Sequence, residues 1–166
     1  MNIQNIVTPQ IINYCKQFSS IVIVGFPKTL KSTIAEYLSE QINYPLFIAD
    51  NYINYYDKTK QLNDLRDAIL PHYNRNLPFI VEGVLSFRLL RKGIQLNDFF
   101  PELIIKTNCN QSIIEYFYKK DGQEDKIKHV LKFNKGLSTI WDEYLSLLSQ
   151  NPRIKKPKYI ELDIIL

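Results

Sequence analysis

The sequence predicts an α/β fold of three layers: a parallel, five-stranded sheet with helices on both faces. Three observations lead there. Short apolar runs recur at residues 21–24, 46–49, 79–81, 103–105 and 159–162. The first four contain no polar residue, as strands buried on both faces require. Segments with helical spacing separate the runs, and short polar turns join them, the pattern of βαβ units.

Taken in chain order, Thr8 followed by Pro9 reads as a helix N-cap with proline at the first helical position, and Ile11, Ile12, Cys15 and Phe18 continue the stripe. The run 21–24 ends at Gly25. After an eight-residue turn, Ile34, Leu38 and Ile42 recur every four residues, with Glu36 and Glu40 toward the other side, which predicts an amphipathic helix. The second run closes at Asp50 and is followed by a helix over about 62–73. The third closes at Glu82 and Gly83. The fourth precedes a helical pattern carrying Ile113, Ile114 and Phe117. A long helix with a break near Gly136 carries Val130, Leu131, Leu137, Ile140, Trp141, Tyr144, Leu145 and Leu148, and the run 159–162 supplies a fifth strand.

A chain of 166 residues, 45% of them hydrophobic, supplies one full core, so residues 1–166 are expected to form a single domain. The formal charge of +4 suits a phosphate-bearing ligand without requiring one. Arg153, Lys155, Lys156 and Lys158 form the one basic cluster, with no interleaved glycines or stacking aromatics, which argues against a nucleic-acid partner. Cys15 and Cys109 lack metal-ligand spacing and read as reduced thiols. With no apolar run of membrane-spanning length and no export signal at the start, the expected location is the cytoplasm, and no membrane partner is expected. The sequence does not indicate an oligomeric state.

In parallel sheets ligands bind beyond the carboxyl ends of the strands, which directs attention to Gly25, Asp50, Glu82 and Thr107. The stretch Gly25-Phe26-Pro27-Lys28-Thr29-Leu30-Lys31-Ser32-Thr33 joins the first strand to an amphipathic helix, where backbone N–H groups and the positive helix end converge on an anion. It approximates the Walker A phosphate loop, in which the lysine reaches the terminal phosphates and the next hydroxyl ligates Mg²⁺, roles that fall to Lys31 and Ser32. Leu30 stands where that pattern has its second glycine. If the position is left-handed, a side chain there costs roughly 1–2 kcal/mol.

Asp50 and Glu82 each end a strand, where a carboxylate points into the ligand crevice and can accept a proton from an attacking hydroxyl or hold a magnesium-bound water. Each can equally be a helix N-cap or a solvated turn residue. Tyr52, Tyr55 and Tyr56 are placed either to stack on a base or to pack at an edge. Arg88 and Arg91 follow Glu82 as contacts for substrate or phosphate, or as solvated surface groups. His72 and His129 lack a partner pattern.

With these motifs in view, the chain resembles the uridine kinase and phosphoribulokinase-like branch of the P-loop kinases over most of its length. The resemblance rests on the Walker A-like GFPKTLKST, on Asp50-Asn51-Tyr52, on the apolar strand ending in Glu82-Gly83, and on Lys119-Lys120-Asp121 where that family has its lid, here about 118–128. It implies a P-loop nucleoside-kinase fold and ATP with Mg²⁺ as cofactors. It also implies Asp50 as the base, Glu82 as the second acidic group near metal and substrate, and Lys120 as the lid cation. Tyr52 and Arg88 join Asp50 and Glu82 as substrate contacts, and Ser32 and Glu82 form the metal side. Phe117 replaces the first lid arginine of the family and Lys120 the second, and a lysine is a point charge where arginine offers a planar fork.

The expected activity is ATP-dependent phosphoryl transfer to a hydroxyl of a nucleoside or similar small molecule. Two alternatives stand beside it: a non-catalytic nucleotide-binding module with a decayed site, and a small-molecule kinase of another P-loop branch.

Overall fold

The computed structural model describes residues 3–52 and 56–165. Its strands are β1 (Ser20–Gly25), β2 (Leu46–Ile48), β3 (Phe79–Glu82), β4 (Leu103–Cys109) and β5 (Lys158–Ile164). They make one sheet in the order β2-β3-β1-β4-β5, and every pairing is parallel. The helices are α1 (Pro9–Cys15), α2 (Lys31–Ile42), α3 (Lys58–Asn74), α4 (Ser86–Leu96), α5 (Gln111–Lys120) and α6 (Ile127–Gln150), with short 3₁₀ turns at Ala49–Tyr52 and Glu124–Lys126.

Alternating residues of the buried strands feed two separate cores. Ile21, Ile23, Ile80, Leu103 and Ile105 point to the face covered by α1 and α2, where they meet Cys15, Ile34 and Leu38. Val22, Val24, Phe79, Val81 and Ile104 point to the other face and meet Leu65, Ile69, Phe87, Leu90, Trp141 and Tyr144 from α3, α4 and α6. This period-two split of an all-apolar run is what a strand covered on both sides must show. The three-layer, five-stranded parallel architecture expected from the sequence is therefore present.

Several local features follow the sequence closely. The Ile11 N–H donates to the Thr8 hydroxyl at 3.5 Å at the start of α1. Asn43 and Asn97 close α2 and α4 in the left-handed region, which a short amide side chain tolerates.

Two expectations need correction. The segment 86–96 is a helix that the apolar pattern did not announce, and it buries Phe87, Leu89, Leu90 and Ile94. The long helix is not broken at Gly136: α6 runs through it, because the roughly 1 kcal/mol that a helical glycine costs is outweighed by burying Leu137, Trp141, Tyr144 and Leu148. Buried Arg66 on α3 pairs with Asp98, just beyond α4. No helix among the described residues is long and apolar enough to cross a membrane.

Candidate active site

The register of the sheet assembles the site. Pairing β1 with β4 sets Gly25 opposite Thr107, and pairing β3 with both β1 and β2 sets Glu82 opposite Ile23 and Ile48. The carboxyl ends of the three central strands thus meet around the loop 25–33.

A hydroxyl clasp fixes the shape of that loop. Thr29 is fully buried, and its hydroxyl lies 2.7 Å from both the Phe26 carbonyl and the Thr107 hydroxyl. Each hydroxyl has a single proton. Thr29 donates its own to Phe26, and Thr107 donates to Thr29 in preference to the Val24 carbonyl, which is 3.3 Å away. Only glycine fits beneath the clasp: a Cβ on Gly25 would lie 1.9 Å from the Thr107 oxygen and 2.5 Å from that of Thr29.

Further along, Lys28 and Leu30 both adopt left-handed backbone, with φ of 63° and 56°. Leu30 therefore holds the conformation for which a Walker loop uses glycine, at a cost of roughly 1–2 kcal/mol. Strain of this kind concentrates where the backbone must present its groups to a ligand. Leu30 packs against the core on the α2 face.

Leu30 also begins α2 without a side-chain cap, and the first helical bond joins the Ile34 N–H to the Leu30 carbonyl at 2.9 Å. The amides of Lys31, Ser32 and Thr33 thus form an uncapped positive helix end at the mouth of the loop. Lys31 is turned inward and only 7% exposed, with the Glu82 carboxylate as its attractive neighbour. The Ser32 hydroxyl donates to Glu82 Oε2 at 3.2 Å.

Glu82 and Asp50 occupy opposite environments. Glu82 is 1% exposed, and its Oε1 has no hydrogen-bond partner among the described residues. Burial pushes its carboxyl above the ordinary range, and the charges of Asp50 and Glu36 add to that, while Lys31 and the Ser32 bond oppose it. Asp50 is exposed and sits in the 3₁₀ turn just past β2. Its Oδ1 lies 2.9 Å from where a Cβ of Gly83 would be, and Gly83 has φ of 128°, so a side chain at that position would strain the backbone and collide with the aspartate.

The oxygen donors present suit a hard cation. A serine hydroxyl beside a buried carboxylate with one free oxygen is the partial ligand set that Mg²⁺ completes with water and phosphate oxygens. Among the described residues no cluster of three His, Cys, Asp or Glu could hold a metal by itself.

The remaining sequence candidates fall nearby or apart. Phe26 stacks on Phe87 with ring centroids 6.3 Å apart, and Tyr52 packs against the same core. Pro27 is half-buried and Thr33 is exposed. Tyr56 is fully exposed, and Tyr55 lies outside the described residues. Arg88 on α4 is half-buried without an ion-pair partner among the described residues, whereas Arg91 is engaged by Glu143 of α6 at 2.5 Å. Lys120 ends α5 exposed, with no hydrogen bond or ion pair to the loop among the described residues.

The contact between the loop and the segment 118–128 is made by Lys28. Its Nζ donates to Asp121 Oδ2 at 2.5 Å and lies 5.4 Å from the centre of the Tyr118 ring. A cavity of about 220 Å³ adjoins the loop, lined by Phe26, Cys109, Ile114, Leu131, Asn134 and Lys135. The buried Asn134 Oδ1 has no hydrogen-bond partner among the described residues.

The fold is shared with several solved structures, kinases among them. The YorR protein of Bacillus subtilis, solved in complex with phosphorylated GDP, is similar with a TM-score of 0.53 and 17% identity, covering 86% of this chain and 84% of that one. A gluconokinase from Sinorhizobium meliloti is similar with a TM-score of 0.52 and 16% identity, covering 81% of this chain and 94% of that one. A putative kinase from Chloroflexus aurantiacus gives a TM-score of 0.50 and 13% identity, with 86% of each chain covered. No protein-family model matches the sequence, nor does any curated protein.

Proposed function

We propose that this chain is an ATP- and Mg²⁺-dependent phosphotransferase, a single P-loop kinase domain acting in the cytoplasm on a hydroxyl of a small molecule, with a nucleoside-like acceptor as the first choice. The shape of the loop 25–33 supports the reading: Leu30 holds left-handed backbone, α2 starts without a side-chain cap and Lys31 is buried, the features a phosphate cradle would need.

In this reading the amides of 31–33 and the Lys31 ammonium hold the terminal phosphates of ATP. Ser32 and Glu82 would hold the metal, which would supply charge neutralisation to the phosphates. The two carboxylates then divide their tasks by environment. Exposed Asp50 is open to an incoming alcohol and takes its proton as the oxygen attacks, whereas buried Glu82 stays on the metal side. Lys28 provides a cation at the lid in place of the missing arginines, exchanging Asp121 for phosphate as nucleotide binds. Lys120, the lid cation implied by family resemblance, lacks this contact. Tyr52 and Arg88 flank the acceptor side.

The nucleoside-like acceptor rests on the resemblance to uridine kinases and on the phosphorylated GDP in the YorR structure. The cavity beside Phe26, with the free acceptor of Asn134, offers room for part of a nucleotide. The similarity to a gluconokinase favours a second reading, a sugar-acid or polyol acceptor on the same machinery.

The test is a screen of nucleosides, sugar acids and polyols for ATP-dependent phosphorylation, followed by Asp50→Asn. The variant is expected to lose at least about a hundredfold in turnover, in line with removal of a general base, while ATP binding stays within about twofold. Normal turnover by Asp50→Asn overturns the assignment of the base. A nucleotide-binding protein that phosphorylates no acceptor and hydrolyses no ATP would instead be a non-catalytic module.

A further inference from the structure

The basic cluster near the C-terminus plays no part in the phosphate site, and the structure sets it at the other end of the molecule. Lys155 and Lys156 precede β5 and border a cavity of about 450 Å³ at the amino-terminal end of the sheet. That volume lies within the range of small-molecule sites, and it is the larger of the cavities described so far. Its apolar lining comes from Tyr73, Leu77, Phe79 and Phe100. The Tyr73 hydroxyl is already committed, donating to the Phe100 carbonyl and accepting from the Phe100 amide, both at 3.2 Å, so the tyrosine offers the cavity its ring.

The polar lining is asymmetric in charge. Glu102 is the one carboxylate, and its Oε2 is held by the Ser19 N–H at 2.6 Å. Neither Lys155 nor Lys156 has an ion-pair partner among the described residues. Two free ammonium groups against one engaged carboxylate leave the wall net positive, above an aromatic floor.

We propose that the amino-terminal end of the sheet is a second binding site, for a small organic anion with a planar apolar body. The half-buried rings of Tyr73 and Phe100 take the body and the two lysines take the anionic group. The site is independent of the phosphate loop.

The probes are 2-naphthoate and its neutral isostere 2-naphthamide, titrated into the intact chain and followed by amide chemical shifts. Naphthoate is expected to shift the amides of residues 19–20, 74–77, 100, 102 and 155–156, and naphthamide to bind at least about tenfold more weakly. The double variant Lys155→Gln/Lys156→Gln changes only exposed side chains, and Leu77→Trp fills the cavity from its rim; each is expected to weaken naphthoate at least about tenfold. Lys31→Ala is expected to leave naphthoate binding unchanged. Equal binding of the two probes, an unaffected double variant, shifts confined to 25–33, or loss of binding in Lys31→Ala would each overturn the proposal.

Discussion

Replacing Glu82 by glutamine should move stability and ligand affinity in opposite directions. Glu82 is 1% exposed with one oxygen unpartnered, and burial together with Asp50 and Glu36 disfavours its charged form more than Lys31 and Ser32 favour it. The folded chain therefore holds this proton more tightly than the unfolded chain. Stability from this group is greatest below the ordinary carboxylate range and declines as pH rises through its elevated value. Glu82→Gln removes the charge and with it that decline. At pH 7.5 the variant should be more stable, by about 0.5–2 kcal/mol if it falls in the range single stabilising substitutions commonly reach. For a chain of this size that raises the melting temperature by about 1–8 °C. If Glu82 faces the metal, the same change should weaken Mg²⁺-dependent ATP binding by about 10- to 100-fold. Thermal melts from pH 5 to 8 and calorimetric MgATP titrations measure both. A variant no more stable than wild type that binds MgATP equally well would refute the reasoning.

Two further substitutions probe the loop. Gly25→Ala forces a methyl into the Thr29–Thr107 clasp, and urea denaturation should show a loss of at least about 2 kcal/mol together with failure to bind ATP. Leu30→Gly relieves left-handed strain of roughly 1 kcal/mol but gives up the packing of a partly buried leucine. Its melting temperature should stay within about 4 °C of wild type and its MgATP affinity should equal or exceed it; a large loss of affinity would mean that the leucine itself shapes the cradle.

How far the site could be read from the sequence depends on range. The strand 21–24 and the loop after it were legible because a β-branched run followed by Gly25 and an amphipathic helix is a local pattern, and the left-handed Leu30 follows from its place in that pattern. Asp50 and Glu82 stand out as candidates because they end their apolar runs, but which of the two is buried depends on sheet order: Glu82 ends a strand flanked by β1 and β2, while Asp50 follows the edge strand. The helix 86–96 was missed because Leu85 gives it no polar cap and Gly93 interrupts its pattern. The contact of Lys28 with Asp121, and the use of Thr107 to lock Thr29, join distant parts of the chain and leave no trace in local spacing. Thr107 was flagged only by its position at a strand end.

The central claim is that the amides of 25–33 and the Lys31 ammonium bind the phosphates of a nucleotide. Its most direct measurement is the titration of MgATP into ¹⁵N-labelled wild-type and Lys31→Ala protein. Wild type should show saturable shifts centred on the amides of 25–33, and Lys31→Ala should bind at least about tenfold more weakly, as loss of a charged phosphate contact implies. Wild-type binding that leaves those amides unmoved, or that Lys31→Ala retains in full, would contradict it.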